Sequence, residues 1–332
     1  MTLRPRYRAT ASGRGPVGFA AAGRWAGCRP TRGVIVGATG SARGAPRVLV
    51  VYKKSAYHIY VLERRSPLFV GPKARTLPWD VRRLRQAHEA HQATLTEVER
   101  ALRARGLRYR VIYRAMQHDY SPYDLVISVG GDGTFLEAAR GVTRQPILGV
   151  NSDPARSAGT FCRADARTFA GILEAVLNGG ARTLRLHRMR LTLNGEALGF
   201  QVLNDILVAH QNPAAMSRYE IQVNGVKEEQ RSSGLWLSTA VGSTAAIKSA
   251  GGQVLPRDSK AIQYLPRELY YGSGATYRLT GGLVPPGRTI TLRSLMREGM
   301  VYVDGEHLKI PFRYGDVLRV SRSPQPLSVV DG

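Results

Sequence analysis

Five residues, Gly130-Gly131-Asp132-Gly133-Thr134, limit the fold more than any others, because an apolar run enters them and a helical pattern leaves them. Upstream, Asp124–Val129 reads as a short buried strand; downstream, Phe135–Arg140 opens a helix. Glycines at such a junction let the backbone come close to a ligand, and the free N–H groups at the helix start attract anions, so the turn suits phosphate. Asp132 would repel a bare phosphate. A carboxylate there makes sense if it holds a metal ion or accepts a proton from a hydroxyl. Taken alone, the pentapeptide is also accounted for by a tight turn in which Asp132 or Thr134 caps the next helix.

The surrounding pattern repeats the same alternation. Arg47–Tyr52 is a buried-strand run, Trp79–Arg105 a long helical pattern, Tyr109–Tyr113 a strand, 134–142 a helix and Pro146–Val150 a strand. Strands alternating with helices predict a mainly parallel sheet with helices on its faces, and they put the glycine turn at the carboxyl end of a strand, where open α/β sheets bind ligands. After a helix at Ala166–Asn178 the texture changes to short strands: Arg182–Met189, Arg190–Leu193, Gly199–Leu203, Ile206–Ala209, Tyr219–Val223, Gly234–Ser238, Tyr277–Thr280, Thr289–Arg293 and Met300–Val303. With Asn194-Gly195 and Asn224-Gly225 as hairpin turns, this predicts an antiparallel second half. The expected organisation is a basic tail over 1–45, an α/β domain over 46–182 carrying the glycine turn, and an all-β antiparallel domain over 183–332 whose last strands pack back on the first.

Charge says less than its size suggests. Of 48 basic residues 41 are arginines, against 24 acidic ones, giving a net charge of +24. They are spread along the chain without interleaved aromatics or a zinc, helix-turn-helix or basic-zipper pattern, so no nucleic-acid partner is expected and anionic small substrates explain the balance as well. Residues 1–45 hold eight arginines, no acid and no periodic apolar face. Such a stretch reads as a disordered tail, a mitochondrial transit peptide or residues upstream of the true start. Cys28 and Cys162 match no metal spacing and suggest no disulfide framework. No apolar run reaches the roughly 20 residues needed to span a bilayer, so no membrane association is expected.

Two polar islands lie in the second half. Leu203-Asn204-Asp205 separates two strands, and Ser238-Thr239-Ala240-Val241-Gly242-Ser243-Thr244-Ala245-Ala246 leads from a strand into small residues. Asn and Asp offer donors and acceptors suited to a ribose or a purine edge, and a Gly-Ser-Thr turn offers hydroxyls and close backbone approach. Alone, the first also fits a β-turn or bulge and the second a helix cap.

In combination and in this order, the glycine turn, Leu203–Asp205 and Ser238–Ala245 resemble the NAD kinase family, whose segments read G-G-D-G-T, L-N-E or L-N-D, and S-T-x-x-G-S-T-A. The resemblance implies an α/β domain joined to an all-β domain, ATP as phosphoryl donor, Mg²⁺, and phosphorylation of the adenosine-ribose 2′-hydroxyl of NAD. It implies Asp132 as the catalytic carboxylate, with phosphate contacts from Gly130, Gly131, Gly133, Thr134 and Asn151 of Gly149-Val150-Asn151. Asn204, Asp205, Ser243, Thr244 and Ala245 would line the dinucleotide site. Ala246 stands where the family commonly has Tyr, and Ser233, counted with the same site, where it has Asp in R-G-D-G. Lys53-Lys54, Asn151–Ser157 and Ser217–Glu220 are similar to the mitochondrial-type members, which makes Arg156 and Arg218 either phosphate contacts or ordinary surface arginines. A homo-oligomer, dimer or tetramer, and a bacterial cytoplasm are implied, with the mitochondrial matrix as the alternative. The rival readings are a lipid kinase of the diacylglycerol or sphingosine type, which shares the glycine turn, and a non-catalytic NAD-binding regulator.

Overall fold

A computed structural model describes residues 45–67, 69–70 and 78–331, together with Thr31–Arg32. The rest of the tail expected over 1–45 lies outside the described residues.

The first sheet has seven strands: β1 (Thr31–Arg32), β2 (Arg47–Tyr52), β3 (Arg108–Tyr113), β4 (Leu125–Gly130), β5 (Ile147–Asn151), β6 (Arg182–Leu186) and β19 (Leu327–Val330). Across the sheet they follow the order β1-β6-β19-β5-β4-β2-β3. The pairs β2–β3, β2–β4, β4–β5 and β5–β19 are parallel, while β6 runs antiparallel to β1 and β19. Every residue of β4 and β5 is buried, as a parallel sheet covered on both faces requires. Helices α1 (Pro78–Ala104) and α3 (Phe169–Leu177) cover one face, packing Leu95, Val98, Leu102 and Leu173 against Val48, Val50, Ile127 and Val150. Helix α2 (Asp132–Gly141) covers the other, where Phe135, Leu136 and Ala138 meet Leu49, Val51 and Val126. β19 enters this sheet from the end of the chain, so the last strand ties the two halves together.

The second half is two packed six-stranded antiparallel sheets. One is built of β7 (Met189–Leu193), β8 (Glu196–Val202), β10 (Ser217–Val223), β11 (Val226–Ser232), β15 (Thr289–Ser294) and β18 (Val317–Arg322), in the order β11-β10-β15-β18-β7-β8. The other is built of β9 (Asp205–His210), β12 (Gly234–Ser238), β13 (Ile262–Arg267), β14 (Gly282–Val284), β16 (Gly299–Val303) and β17 (Leu308–Phe312), in the order β14-β13-β12-β9-β16-β17. Alternate residues such as Tyr219 and Ile221 from the first sheet and Val208, Leu237 and Val301 from the second form their shared core. The α/β half followed by an antiparallel half is the expected fold class.

Three details differ from the sequence reading. Arg182–Met189 is not one strand. The chain leaves the first sheet after Leu186 and enters another at Met189, and the hinge residue Arg188 is buried where an apolar alternation runs straight through. Tyr277–Thr280 is a loop, because the N–H groups of Arg278 and Leu279 donate to the Glu228 carboxylate at 2.9 and 3.0 Å instead of to a neighbouring strand. Strands β11, β13 and β17 escape the sequence pattern, since a polar outer face in the first and Pro266 and Pro311 in the others mask their period, and β14, β18 and β19 also lie outside the strands read from sequence. Among the described residues no helix is long and apolar enough to cross a membrane.

Candidate functional site

β4 ends at Gly130 and α2 starts at Asp132, with Gly131 as its extended N-cap residue. A Cβ on Gly130 would lie 2.2 Å from Thr134 Oγ1 and 2.6 Å from its Cβ, so a larger residue there would displace Thr134, whereas one on Gly131 would lie 2.5 Å from Ser157 Oγ, a contact that a turn of that hydroxyl relieves. No side chain caps α2. Asp132 instead turns its Oδ1 to the Phe161 N–H at 2.8 Å, and the Thr134 hydroxyl is buried with no hydrogen-bond partner. Neither residue therefore acts as the helix cap that the pentapeptide alone would allow. Asp132 is half-buried, Gly133 is exposed, and an Arg114 guanidinium nitrogen comes within 3.6 Å of where a Gly133 Cβ would stand.

The neighbouring strand ends complete this edge. Gly130 pairs with Asn151, and the Ser152 N–H donates to Gly130 O at 3.0 Å. Asn151 uses its amide to close the following loop, donating from Nδ2 to Ser157 O at 3.0 Å and accepting the Asp153 N–H at 3.1 Å. Gly159 has φ +55°, and a Cβ there would meet Asn151 Nδ2 at 2.3 Å. Arg156 binds Asp153 at 3.0 Å and Gln86 at 3.1 Å. Lys53, just past β2, has its pKa lowered by burial, with Asp153 pulling it back up and Arg114 pushing it down. Burial holds the fully enclosed His91, stacked on Tyr52, at about 4. Burial, helped by the charge of Asp132, pushes the Cys162 thiol up to about 12, which leaves it no thiolate character at neutral pH.

Leu203-Asn204-Asp205 is held by one carboxylate. Asp304 Oδ1 accepts the N–H groups of Asn204 at 2.7 Å and Asp205 at 3.3 Å, and Oδ2 accepts that of Leu203 at 3.2 Å. Asp304 sits at the tip of the β16–β17 hairpin with φ +47°, a conformation that Asp tolerates better than most residues. Its side chain is fully enclosed. Burial raises its pKa to about 6 against the pull of the three N–H groups and Arg140, and burial plus the Asp304 charge raises Asp205 to about 7.

The Gly-Ser-Thr turn leans on the same segment. Thr239 donates from its N–H to Asn204 O at 2.9 Å and from its hydroxyl to Leu203 O at 2.6 Å. A Cβ on Gly242 would lie 2.1 Å from Asn204 O. Ser243 is fully buried; its hydroxyl donates to Ala240 O at 2.6 Å and accepts the Leu255 N–H at 2.9 Å, so it shapes the turn from inside. Thr244 and Ala246 are exposed and Ala245 half-buried beyond it. Asn204 Oδ1 is buried without a hydrogen-bond partner. Leu203 and Val241 share one apolar cluster with Phe135 and Leu136 of α2, so the three motifs converge on a single core.

Ser233 and Arg218 stand apart. Ser233 precedes β12, whose other end, Ser238, is the residue paired with Asp205. Arg218 is exposed on β10, in the sheet that carries none of the other candidates. The structure also brings in residues that sequence reading passes over. Arg140 of α2 donates to Val303 O at 2.9 Å and Asp304 O at 3.1 Å. Buried Arg188 donates to Ala139 O and Val142 O at the end of α2, at 3.2 and 2.8 Å. Burial lowers its pKa to about 10. Among 41 arginines nothing in sequence marks these two, except that Arg188 interrupts an apolar alternation.

Comparison with known proteins gives a consistent result. Residues 77–181 match the ATP-NAD kinase N-terminal domain and residues 203–332 the ATP-NAD kinase C-terminal domain. A probable NADH kinase of Oryza sativa subsp. japonica is 37% identical over 263 residues, spanning 72% of this chain and 81% of that protein. An NAD kinase of Methanospirillum hungatei is 30% identical over 213 residues, 63% of this chain and 75% of that protein. The crystal structure of an NAD kinase from Archaeoglobus fulgidus in complex with ATP superposes with a TM-score of 0.61 over 86% of this chain and 93% of that one; at 21% identity this likeness concerns the fold.

Proposed function

The chain belongs to the ATP-NAD kinase family, and on that premise we propose that it transfers the γ-phosphoryl group of ATP to the adenosine-ribose 2′-hydroxyl of NAD, making NADP. The observation that carries the reading is the convergence of the Gly130–Thr134 turn, Leu203–Asp205 and Gly242–Thr244 on one core, with Asp132 at the start of α2 and the Asn204 acceptor buried and unpaired. Phosphoryl transfer needs alignment and charge neutralisation more than covalent chemistry from the protein. In this reading Gly130, Gly131, Gly133 and Thr134 approach the phosphates, with Asn151 shaping the adjoining loop and Arg156 as a further anion contact, while Arg218, exposed on β10, takes the surface reading. Asp132 accepts the hydroxyl proton. Asn204, Asp205, Thr244 and Ala245 bind the adenosine end, Ser243 supports the turn from behind, and Ser233 contributes from the far end of β12.

Among the described residues no three His, Cys, Asp or Glu gather to hold a metal ion. Mg²⁺ is bound through one or two carboxylates together with substrate phosphates, so the half-buried Asp132 at the start of α2 and the donor phosphates would hold it, and it would neutralise charge on the transferring group. Homo-oligomerisation, as a dimer or tetramer, and a cytoplasmic setting complete the proposal. The 37% identity to a probable NADH kinase favours a second reading in which NADH is also an acceptor.

One assay tests both. The purified chain is given Mg²⁺ with ATP or polyphosphate, and NAD, NADH or a diacylglycerol, and the phosphorylated products are separated. NADP formation from ATP and NAD is expected. Phosphorylation of the lipid alone, or of nothing although NAD binds, would replace the proposal with one of its rivals.

A further inference from the structure

We infer that Asp304 and Arg140 are positioning residues that set the relation between Asp132 and the hydroxyl it serves; this rests on the function proposed above. Asp132 and Arg140 stand at opposite ends of α2, a stiff rod rising about 1.5 Å per residue. Arg140 grips the β16–β17 hairpin through two backbone carbonyls, Val303 O and Asp304 O, and its Nε lies 3.8 Å from Asp304 Oδ2. Asp304 in turn holds three consecutive N–H groups of Leu203–Asp205.

A second tie runs parallel to the first. Glu137, three residues before Arg140 and thus on the same face of α2, pairs with Arg114 at 3.1 Å, and Arg114 in turn donates to His307 Nε2 of the hairpin loop at 3.3 Å. Arg188 fixes the far end of the helix through Ala139 O and Val142 O. From the proton acceptor to the acceptor-binding segment, then, the path is one helix, one guanidinium and one carboxylate. It crosses no exposed joint: the guanidinium reaches the hairpin by hydrogen bonds to two backbone carbonyls and the buried carboxylate reaches Leu203–Asp205 by three N–H groups, bonds that a charged partner strengthens. Misplacing reacting groups by about 1 Å can cost on the order of 100-fold in rate.

The two ends of this device should fail differently. Asp304→Asn keeps the side-chain shape but turns a donor toward the Leu203 N–H and Arg140. It should weaken NAD binding by calorimetry by roughly tenfold or more while the KM for ATP stays within about threefold. Arg140→Met leaves the Leu203–Asp205 N–H groups on Asp304 but removes the two hydrogen bonds from α2 to the hairpin carbonyls, with the link through Glu137 and Arg114 still in place. It should lower kcat by about 10- to 100-fold with NAD affinity within about threefold, and Arg140→Lys, still able to donate to a carbonyl, should recover part of the loss. Tyr219→Phe is the control for stability alone: its hydroxyl bonds Gln230 and Ser232 deep in the other sheet, so it should lower Tm and leave kcat and KM unchanged.

Normal kcat and KM in folded Arg140→Met and Asp304→Asn, with losses confined to Tm, would overturn the inference while leaving the kinase reading intact. A wild-type chain that binds NAD but phosphorylates nothing would instead remove the reading on which it rests. Should Arg140→Met not fold, the kcat of Arg140→Lys decides in its place.

Discussion

Asp132 and Asn204 are held by different means. Asp132 stands in a turn whose backbone is closed by its own neighbours, Thr134 and Phe135 donating back to Gly131 O at 3.0 and 3.1 Å, while its carboxylate accepts one N–H from Phe161, 29 residues further on. Asn204 is fixed through its backbone by a carboxylate 100 residues further on and by Thr239 of a third segment. The first backbone frame is local and needs only a strand end and a helix start, with the Phe161 N–H added from the loop after β5. The second exists only once β9, β12 and the β16–β17 hairpin have paired. A residue supported locally can be replaced without disturbing its frame, whereas a residue supported from a distance shares its frame with everything that supports it.

The largest expected effect tests the local side. Asp132→Asn keeps size and the capacity to accept the Phe161 N–H but removes the charge. General-base catalysis contributes roughly 10²- to 10⁴-fold, so turnover should fall by at least that order, with NAD affinity and the thermal melt near those of the parent. Near-normal turnover would sink the catalytic assignment. A large drop in Tm would break the comparison instead, by showing that the carboxylate holds the turn together.

The same contrast explains what is legible in the sequence. Gly130–Thr134 is contiguous and its strand and helix are read from apolar period alone, so its place at the edge of a parallel sheet follows from the order of residues. Leu203–Asp205 can be picked out as a polar island, but nothing near it points to Asp304, whose Asp304-Gly305 step reads as an ordinary hairpin turn. Arg140 is hard to see for a physical reason, since its hydrogen bonds go to backbone carbonyls, which every residue carries; Arg188, bonded in the same way, is marked only by its place in an apolar alternation. Ser243 misleads in the opposite sense. Its neighbours suggest a ligand-facing hydroxyl, yet the turn needs that hydroxyl inside, for Ala240 and Leu255. Burial is a property of the assembled fold, and a polar residue in a small-residue stretch does not declare on which side it will end.

Asn204→Ala tests the distant side with a smaller effect. The backbone frame from Asp304 and Thr239 does not use the amide, and Asn204 Oδ1 is buried without a partner. Truncation should therefore leave Tm unchanged or slightly raised, because it removes an unsatisfied acceptor, while NAD binding weakens by roughly 1–3 kcal/mol. Calorimetry on the folded variant checks this. Unchanged affinity would take Asn204 out of the site, and a marked loss of stability would show that its side chain belongs to the frame.

Asp205 gives the most specific test, because one group should produce two pH dependences of opposite sign. Burial and the Asp304 charge raise its pKa from 3.8 to about 7 in the folded chain. The folded state therefore keeps a proton that the unfolded state has lost, and between about pH 4 and 7 stability should fall as pH rises, by up to about 1.4 kcal/mol per unit for this one proton. Asp304, raised to about 6, adds a fall of the same sign up to its own value. NAD binding should move the other way if Asp205 accepts hydrogen bonds from ribose hydroxyls as a carboxylate. Affinity should then rise roughly tenfold from pH 6 to pH 8, and in Asp205→Asn that rise should vanish together with part of the stability slope. Denaturant melts and calorimetry across this range read the two separately. Affinity that is flat in the parent while stability falls would leave Asp205 as a buried acid of the frame rather than a contact, and the comparison would then divide the motif between Asn204, which meets the ligand, and Asp205, which does not.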